Sequence, residues 1–114
     1  MKKINSGYIS DILEHIGYIE SFTSDNSYTA NNFVDKKTEF AIIRCFEVIG
    51  EAAKRIDDTF KTKYIEVPWK KMTGFRDVLI HDYEKLIPEM IVKTVEEDLP
   101  NLKQQLLNIL ENEQ

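Results

Sequence analysis

The sequence predicts an all-α fold, an up-and-down bundle of four or five helices, on three observations. Apolar residues recur at intervals of three and four instead of alternating. Four glycines and three prolines are few breakers for 114 residues. Strand patterns, internal repeats and low-complexity tracts are absent. With 42% hydrophobic and 31% charged residues, the chain reads as one domain, 1–114. At this size folding buries roughly two thirds of the unfolded surface, so a core needs no staples.

Ile9, Ile12, Leu13, Ile16, Ile19 and Phe22 form the apolar stripe of a first helix, capped by Ser6 and ending near Thr23. A polar loop, Ser24-Asp25-Asn26-Ser27, leads to Tyr28–Phe33, read as a short helical turn over the core. Asp35 caps a long second helix, in which Phe40, Ile43, Phe46, Ile49, Ala53, Ile56 and Phe60 repeat with helical spacing. Gly50, Ala52 and Ala53 are small enough to let another backbone come close. Glu47, Glu51 and Arg55 make a polar ridge on the same helix, with Glu51 before Arg55 in the favourable order for an ion pair. Pro68 opens a third helix that carries Trp69, Met72, Phe75, Val78 and Leu79 to about His81. An exit loop from Asp82 to Ile87 follows. Pro88 opens a fourth helix with Ile91, Val92, Val95 and Leu99, and Pro100 begins or kinks a last one with Leu102, Leu106, Ile109 and Leu110.

The net charge of -5 speaks against a general nucleic-acid coat protein, yet the charge is unevenly spread. Residues 54–76 carry +4 between flanks of -3 and -6. Lys54, Arg55, Lys61, Lys63, Lys70, Lys71 and Arg76 would suit a local phosphate-facing patch, although a solvated charged face is the simpler reading. Cys45 has no disulfide partner, and the chain shows neither a signal-like run nor about 20 consecutive apolar residues. These features predict a cytoplasmic protein without a membrane segment. On its apolar helix Cys45 reads as a buried, inert thiol, His15 as a packing residue, and Trp69, Met72 and Phe75 as core or dimer interface.

Chemistry concentrates in Gly74-Phe75-Arg76-Asp77-Val78-Leu79-Ile80-His81-Asp82-Tyr83, where arginine, histidine, carboxylates and tyrosine converge. On an ideal helix Arg76 and Tyr83 lie within about 20° of each other, Asp77 and His81 within about 40°, and Arg76 and His81 about 140° apart. Either the helix unwinds before His81, or groups from elsewhere complete the pair, a symmetry-related chain being the cheapest source. His81-Asp82 also looks like a metal-binding pair, but His15 is the only other histidine, so no metal is expected. Glycine-rich phosphate loops and nucleophile elbows are missing, and no cofactor is expected.

The Arg-x4-His-x-Tyr pattern formed by Arg76, His81 and Tyr83 resembles the signature of HepT-like toxins of the HEPN superfamily. The likeness runs nearly end to end, through Asp11-Ile12-Leu13, Glu47-Val48-Ile49-Gly50-Glu51-Ala52-Ala53, Val67-Pro68-Trp69, Gly74-Phe75-Arg76 and Asp98-Leu99-Pro100. Asp77 departs from it, standing where such proteins often carry asparagine, and Cys45 occupies a position commonly polar in relatives. The resemblance implies a HEPN-type bundle that forms a two-fold homodimer and cleaves RNA without metal. Arg76 and His81 would be catalytic and Asp77 supporting. It further implies a partner, a minimal nucleotidyltransferase antitoxin that transfers AMP to Tyr83. The second class of function is a non-catalytic helical subunit that binds a nucleotidyltransferase and helps present its substrate.

Overall fold

A computed structural model of the chain describes residues 3–24, 28–29, 32–33, 35–82, 84 and 88–114. The elements in order are α1 (Lys3–Phe22), α2 (Lys36–Arg55), α3 (Asp58–Lys63), α4 (Trp69–His81), α5 (Pro88–Lys93), a π-helical turn (Thr94–Asp98) and α6 (Leu99–Asn112). The last three run on without a break, so the described residues form five helical units. Helix α2 lies between α1 and α4 and packs against both, while α6 closes the core from the α1 side.

Helix α1 begins a turn earlier than a Ser6 cap would allow. Asn5 is buried, and its side chain both donates to the Asp57 carboxylate and accepts from the Asp57 backbone N–H, each at 3.3 Å. This anchor holds the first turn in place and leaves Ser6 inside the helix. The same contact helps to end α2 at Arg55 instead of continuing it to Phe60. Asp57 N–H bonds to Asn5, Ile56 turns extended, and a short α3 starts afresh after Asp57. Ile56 and Phe60 are still buried, because the corner folds back over the core.

Ile9, Ile12, Ile16 and Ile19 are fully enclosed, but Phe22 is 38% and Phe40 53% exposed, so both leave the stripes in which their spacing had put them. Tyr28 and Phe33 pair in an isolated antiparallel bridge, not a helical turn. Thr29 N–H reaches Asn32 O at 2.7 Å, and the Asn32 side chain accepts from Phe33 N–H. Residues 25–27 of the expected loop lie outside the described residues. Asp35 does cap α2, its Oδ1 accepting from Thr38 N–H at 2.7 Å. Pro100 sits in the first turn of α6, as expected of a proline that begins the last helix, although the coil runs on into it from α5 without a loop. It cannot donate an N–H to the preceding turn, and the π turn just before it, closed by Leu99 N–H to Thr94 O, widens the coil where that bond is missing.

Trp69 and Met72 are buried, and the indole N–H donates to Tyr64 O at 3.0 Å, which fixes the start of α4 beneath the α3 corner. Burial also pushes the Cys45 thiol above its ordinary pKa, as suits an inert core cysteine.

Candidate functional site

Helix α4 can carry Arg76 against α2 because Gly50 has no side chain there. A Cβ on Gly50 would stand 2.3 Å from Arg76 Cβ and 3.0 Å from Met72 O. Phe46 and Phe75 meet edge to face at 5.1 Å just beyond that contact, and the two fix the register of the helices. Arg76 therefore leaves α4 at a tight helix crossing, and its side chain is only 20% exposed.

The guanidinium is held on two sides. Its Nη2 lies 3.0 Å from Glu51 Oε2 and its Nη1 2.9 Å from Asp77 Oδ1. The other Glu51 oxygen accepts from Arg55, at 2.9 Å from Nη2 and 3.0 Å from Nε. Glu51 thus bridges two arginines, one on its own helix and one on α4. Glu51 first, and Tyr8 behind it, push the Arg55 guanidinium still further above its ordinary pKa. These groups border a groove of about 350 Å³ that runs over α2 between α1 and α4. Tyr8 and Asp11 come from α1, Arg44, Glu47 and Arg55 from α2, and Ile80 joins Arg76 on the α4 wall. Arg44 pairs with Glu47 at 3.4 Å, so three arginines and three carboxylates alternate over a floor that includes Val48 and Ala52. Such a groove is close to neutral but rich in donors, since each guanidinium has five N–H groups in a fixed fork.

Of the residues singled out from sequence, Arg76 and Asp77 are brought together, and His81 is not. Helix α4 stays regular to its last residue, His81, and the Asp82 N–H still reaches back to Val78 O at 2.9 Å. The helix does not unwind to turn the imidazole toward Arg76. His81 is exposed, and no hydrogen bond or ion pair links it to Arg76 or Asp77 among the described residues. Tyr83 lies outside the described residues.

The basic stretch is not a bare patch. Arg55 and Arg76 share Glu51, Lys63 pairs with Glu113 at 2.7 Å, and Lys71 pairs with Asp98 at 3.0 Å. Glu51 was visible in the sequence as the middle of a ridge on α2 and the partner of Arg55. Its bond to Arg76 spans 25 positions, and the small residues beside it, Gly50 above all, are the local sign that another helix comes close.

Comparison with known proteins places this arrangement in context. The family described as "Ribonuclease HepT-like" matches residues 12–109. A protein of Thermococcus cleftensis named "Probable ribonuclease HepT" is 45% identical over 103 residues, covering 90% of this chain and 93% of its own. A protein named "Putative RNase" from Methanocaldococcus jannaschii is 38% identical over 106 residues, covering 92% and 95%. Another of that name from Caldanaerobacter subterraneus is 34% identical over 107 residues, covering 93% and 94%. No solved structure matches the chain.

Proposed function

The chain belongs to the HepT-like ribonuclease family of the HEPN superfamily, and we propose that it is the RNA-cleaving toxin of a toxin–antitoxin pair, acting as a two-fold homodimer. Arg76 and His81 of both copies would line one cleft. The regular course of α4 through His81 carries this reading. It turns the imidazole about 140° from the guanidinium, so a site that needs both is better supplied by two chains than by one.

RNA brings its own nucleophile. One imidazole takes the proton of the 2'-hydroxyl as that oxygen attacks phosphorus. A 2',3'-cyclic phosphate forms, the bond to the 5'-oxygen breaks, and the second imidazole gives that oxygen a proton. Negative charge builds on the phosphorane, and Arg76 meets it with a fork of donors already held in place by Glu51 and Asp77. No step in this scheme calls for a metal ion, because the arginine supplies the charge and the histidines move the protons.

Silencing by a nucleotidyltransferase fits the same segment. The Tyr83 phenol oxygen attacks the α-phosphorus of ATP, pyrophosphate leaves, and the tyrosine carries AMP two residues from His81. The added bulk and negative charge occupy space that the RNA phosphate requires. The alternative, a non-catalytic subunit that binds a nucleotidyltransferase, is favoured by one observation: the groove holds as many carboxylates as arginines.

Purified protein in EDTA is expected to cleave RNA and leave cyclic phosphate ends. His81→Ala and Arg76→Ala should each lose activity by a factor on the order of 100 or more while circular dichroism stays helical. Undiminished cleavage by folded His81→Ala, or strict dependence on added metal, refutes the mechanism. Tyr83→Phe should still cleave but escape silencing, and mass spectrometry of co-expressed protein should find AMP on the peptide holding Tyr83. AMP found only on Tyr8, Tyr18, Tyr28 or Tyr64 would refute that assignment.

A further inference from the structure

Helix α1 carries two stripes. Asn5, Ile9, Ile12, Ile16 and Ile19 face the core. Beside them, about 100° round the helix, run Ile4, Tyr8, Asp11, His15, Tyr18 and Phe22. Their spacing of four, three, four, three and four is that of a seam between paired helices. Ile4, Tyr18 and Phe22 are 57%, 44% and 38% exposed, an unusual display for side chains of this size. The rings also form a connected ridge. His15 meets Tyr18 edge-on at 5.2 Å, and Tyr18 lies nearly parallel to Phe22 at 6.4 Å.

The composition of this stripe identifies what covers it. Residues equidistant from position 13 match in chemistry: Ile4 with Phe22, Tyr8 with Tyr18, and Asp11 with His15. A second copy of the same helix, reversed, therefore presents an apolar group to each apolar end, a phenol to each phenol, and an imidazole to each carboxylate. A parallel copy would set Asp11 against Asp11 and His15 against His15. The His15 Nδ1 lies 2.8 Å from the Asp11 carbonyl oxygen, which can only accept, so Nδ1 carries the hydrogen, and in the imidazolium form Nε2 also carries one and donates it to the carboxylate of the other copy.

We infer that this stripe is an antiparallel α1–α1 seam of the homodimer, with the two-fold axis at the level of residue 13. The inference rests on the dimer reading above and specifies its interface. Tyr8 and Asp11 belong both to the stripe and to the groove that holds Arg76. The second copy's helix consequently walls the open side of that groove, and the two grooves face one another across the axis.

Disulfide trapping tests the register in a Cys45→Ala background. In the seam, position 4 of one copy meets position 22 of the other, whereas like positions stand 18 residues, about 27 Å, apart. A mixture of Ile4→Cys and Phe22→Cys chains should oxidise to a covalent heterodimer, and neither variant alone should cross-link. Cross-linking by Ile4→Cys alone indicates a parallel arrangement and overturns the seam. A dimer by light scattering that yields no 4–22 cross-link overturns the seam and leaves the dimer reading standing, whereas a monomer at micromolar concentration overturns both. A charge exchange covers the case in which the cysteine variants misfold. Asp11→Lys should raise the dimer dissociation constant at least tenfold, and adding His15→Glu should restore it; an unchanged constant in Asp11→Lys counts against the seam. RNA cleavage plays no part in these readouts, so a 4–22 cross-link in a chain without nuclease activity would support the seam while refuting the catalytic reading.

Discussion

Two carboxylates tie distant parts of this chain together, and they do so in opposite ways. Glu113, just past α6, is held by Lys63 at 2.7 Å and by the Tyr64 hydroxyl, which also receives a hydrogen bond from Asn112 at 2.7 Å. Its side chain is only 7% exposed, and the Lys63 ammonium, with the Tyr64 hydroxyl second, draws its carboxyl down from the ordinary 4.5 to about 2. Lys63 also stands 5.5 Å over the Tyr64 ring, so cation, phenol and carboxylate are spent on one another. Glu51 holds two cations as well, but it is 36% exposed and its arginines border an open groove. A guanidinium that uses part of its fork on a carboxylate keeps other donors for a ligand, whereas the Lys63 corner keeps few. The first cluster fastens the end of α6 to the α3 corner. The second holds charge ready at a surface.

The comparison breaks most sharply at Gly50. Gly50→Ala inserts a methyl group where α2 and α4 touch, and the backbone Met72 O cannot step aside as a flexible side chain would. RNA cleavage is expected to fall tenfold or more as Arg76 is displaced. Urea denaturation should show a loss of about 1–3 kcal/mol from overpacking, less up to about 1 kcal/mol regained from the helix preference of alanine. Wild-type cleavage and stability in this variant would mean that the close crossing does not position Arg76.

Glu51→Gln sharpens the contrast by separating the two roles. It keeps the shape of the side chain and removes the charge that Arg55 and Arg76 share. Cleavage should drop several-fold, with KM affected less than kcat if the fork is mis-aimed instead of merely less attractive to RNA. Stability should change by less than about 1 kcal/mol, because pairs this exposed are screened by solvent. A large fall in melting temperature with normal kinetics would make Glu51 a structural residue like Glu113.

The smallest effect belongs to the closed cluster and appears only in acid. Because folding lowers the Glu113 pKa, its contribution is present in full above the ordinary value of 4.5 and is lost as pH falls toward about 2. Between pH 6 and pH 3 the urea midpoint of the wild type should therefore decline more than that of Glu113→Gln, whose cleavage at neutral pH should stay within about twofold of wild type. Parallel declines would show that other carboxylates dominate the acid limb.

How much was legible follows from the range of the forces involved. The stripes of α1 and α6 and the Asp35 cap depend on neighbours three or four positions away, and they were readable as such. Ser6 failed as a cap, and α2 failed to reach Phe60, for one shared reason: Asn5 and Asp57 bond across 52 positions. Phe40 keeps helical spacing yet faces outward, since periodicity names a face without saying whether anything lies against it.

By itself the sequence determined the helical class, the family, and the Arg76 and His81 of its motif, because residue type, short spacing and kinship are local or inherited properties. Tertiary structure alone decided that Glu51, already paired with Arg55 along α2, also reaches Arg76 on α4. That outcome depends on where Gly50 allows α4 to cross α2. A close crossing sums the packing of every side chain along two helices, and no short stretch of either contains that sum.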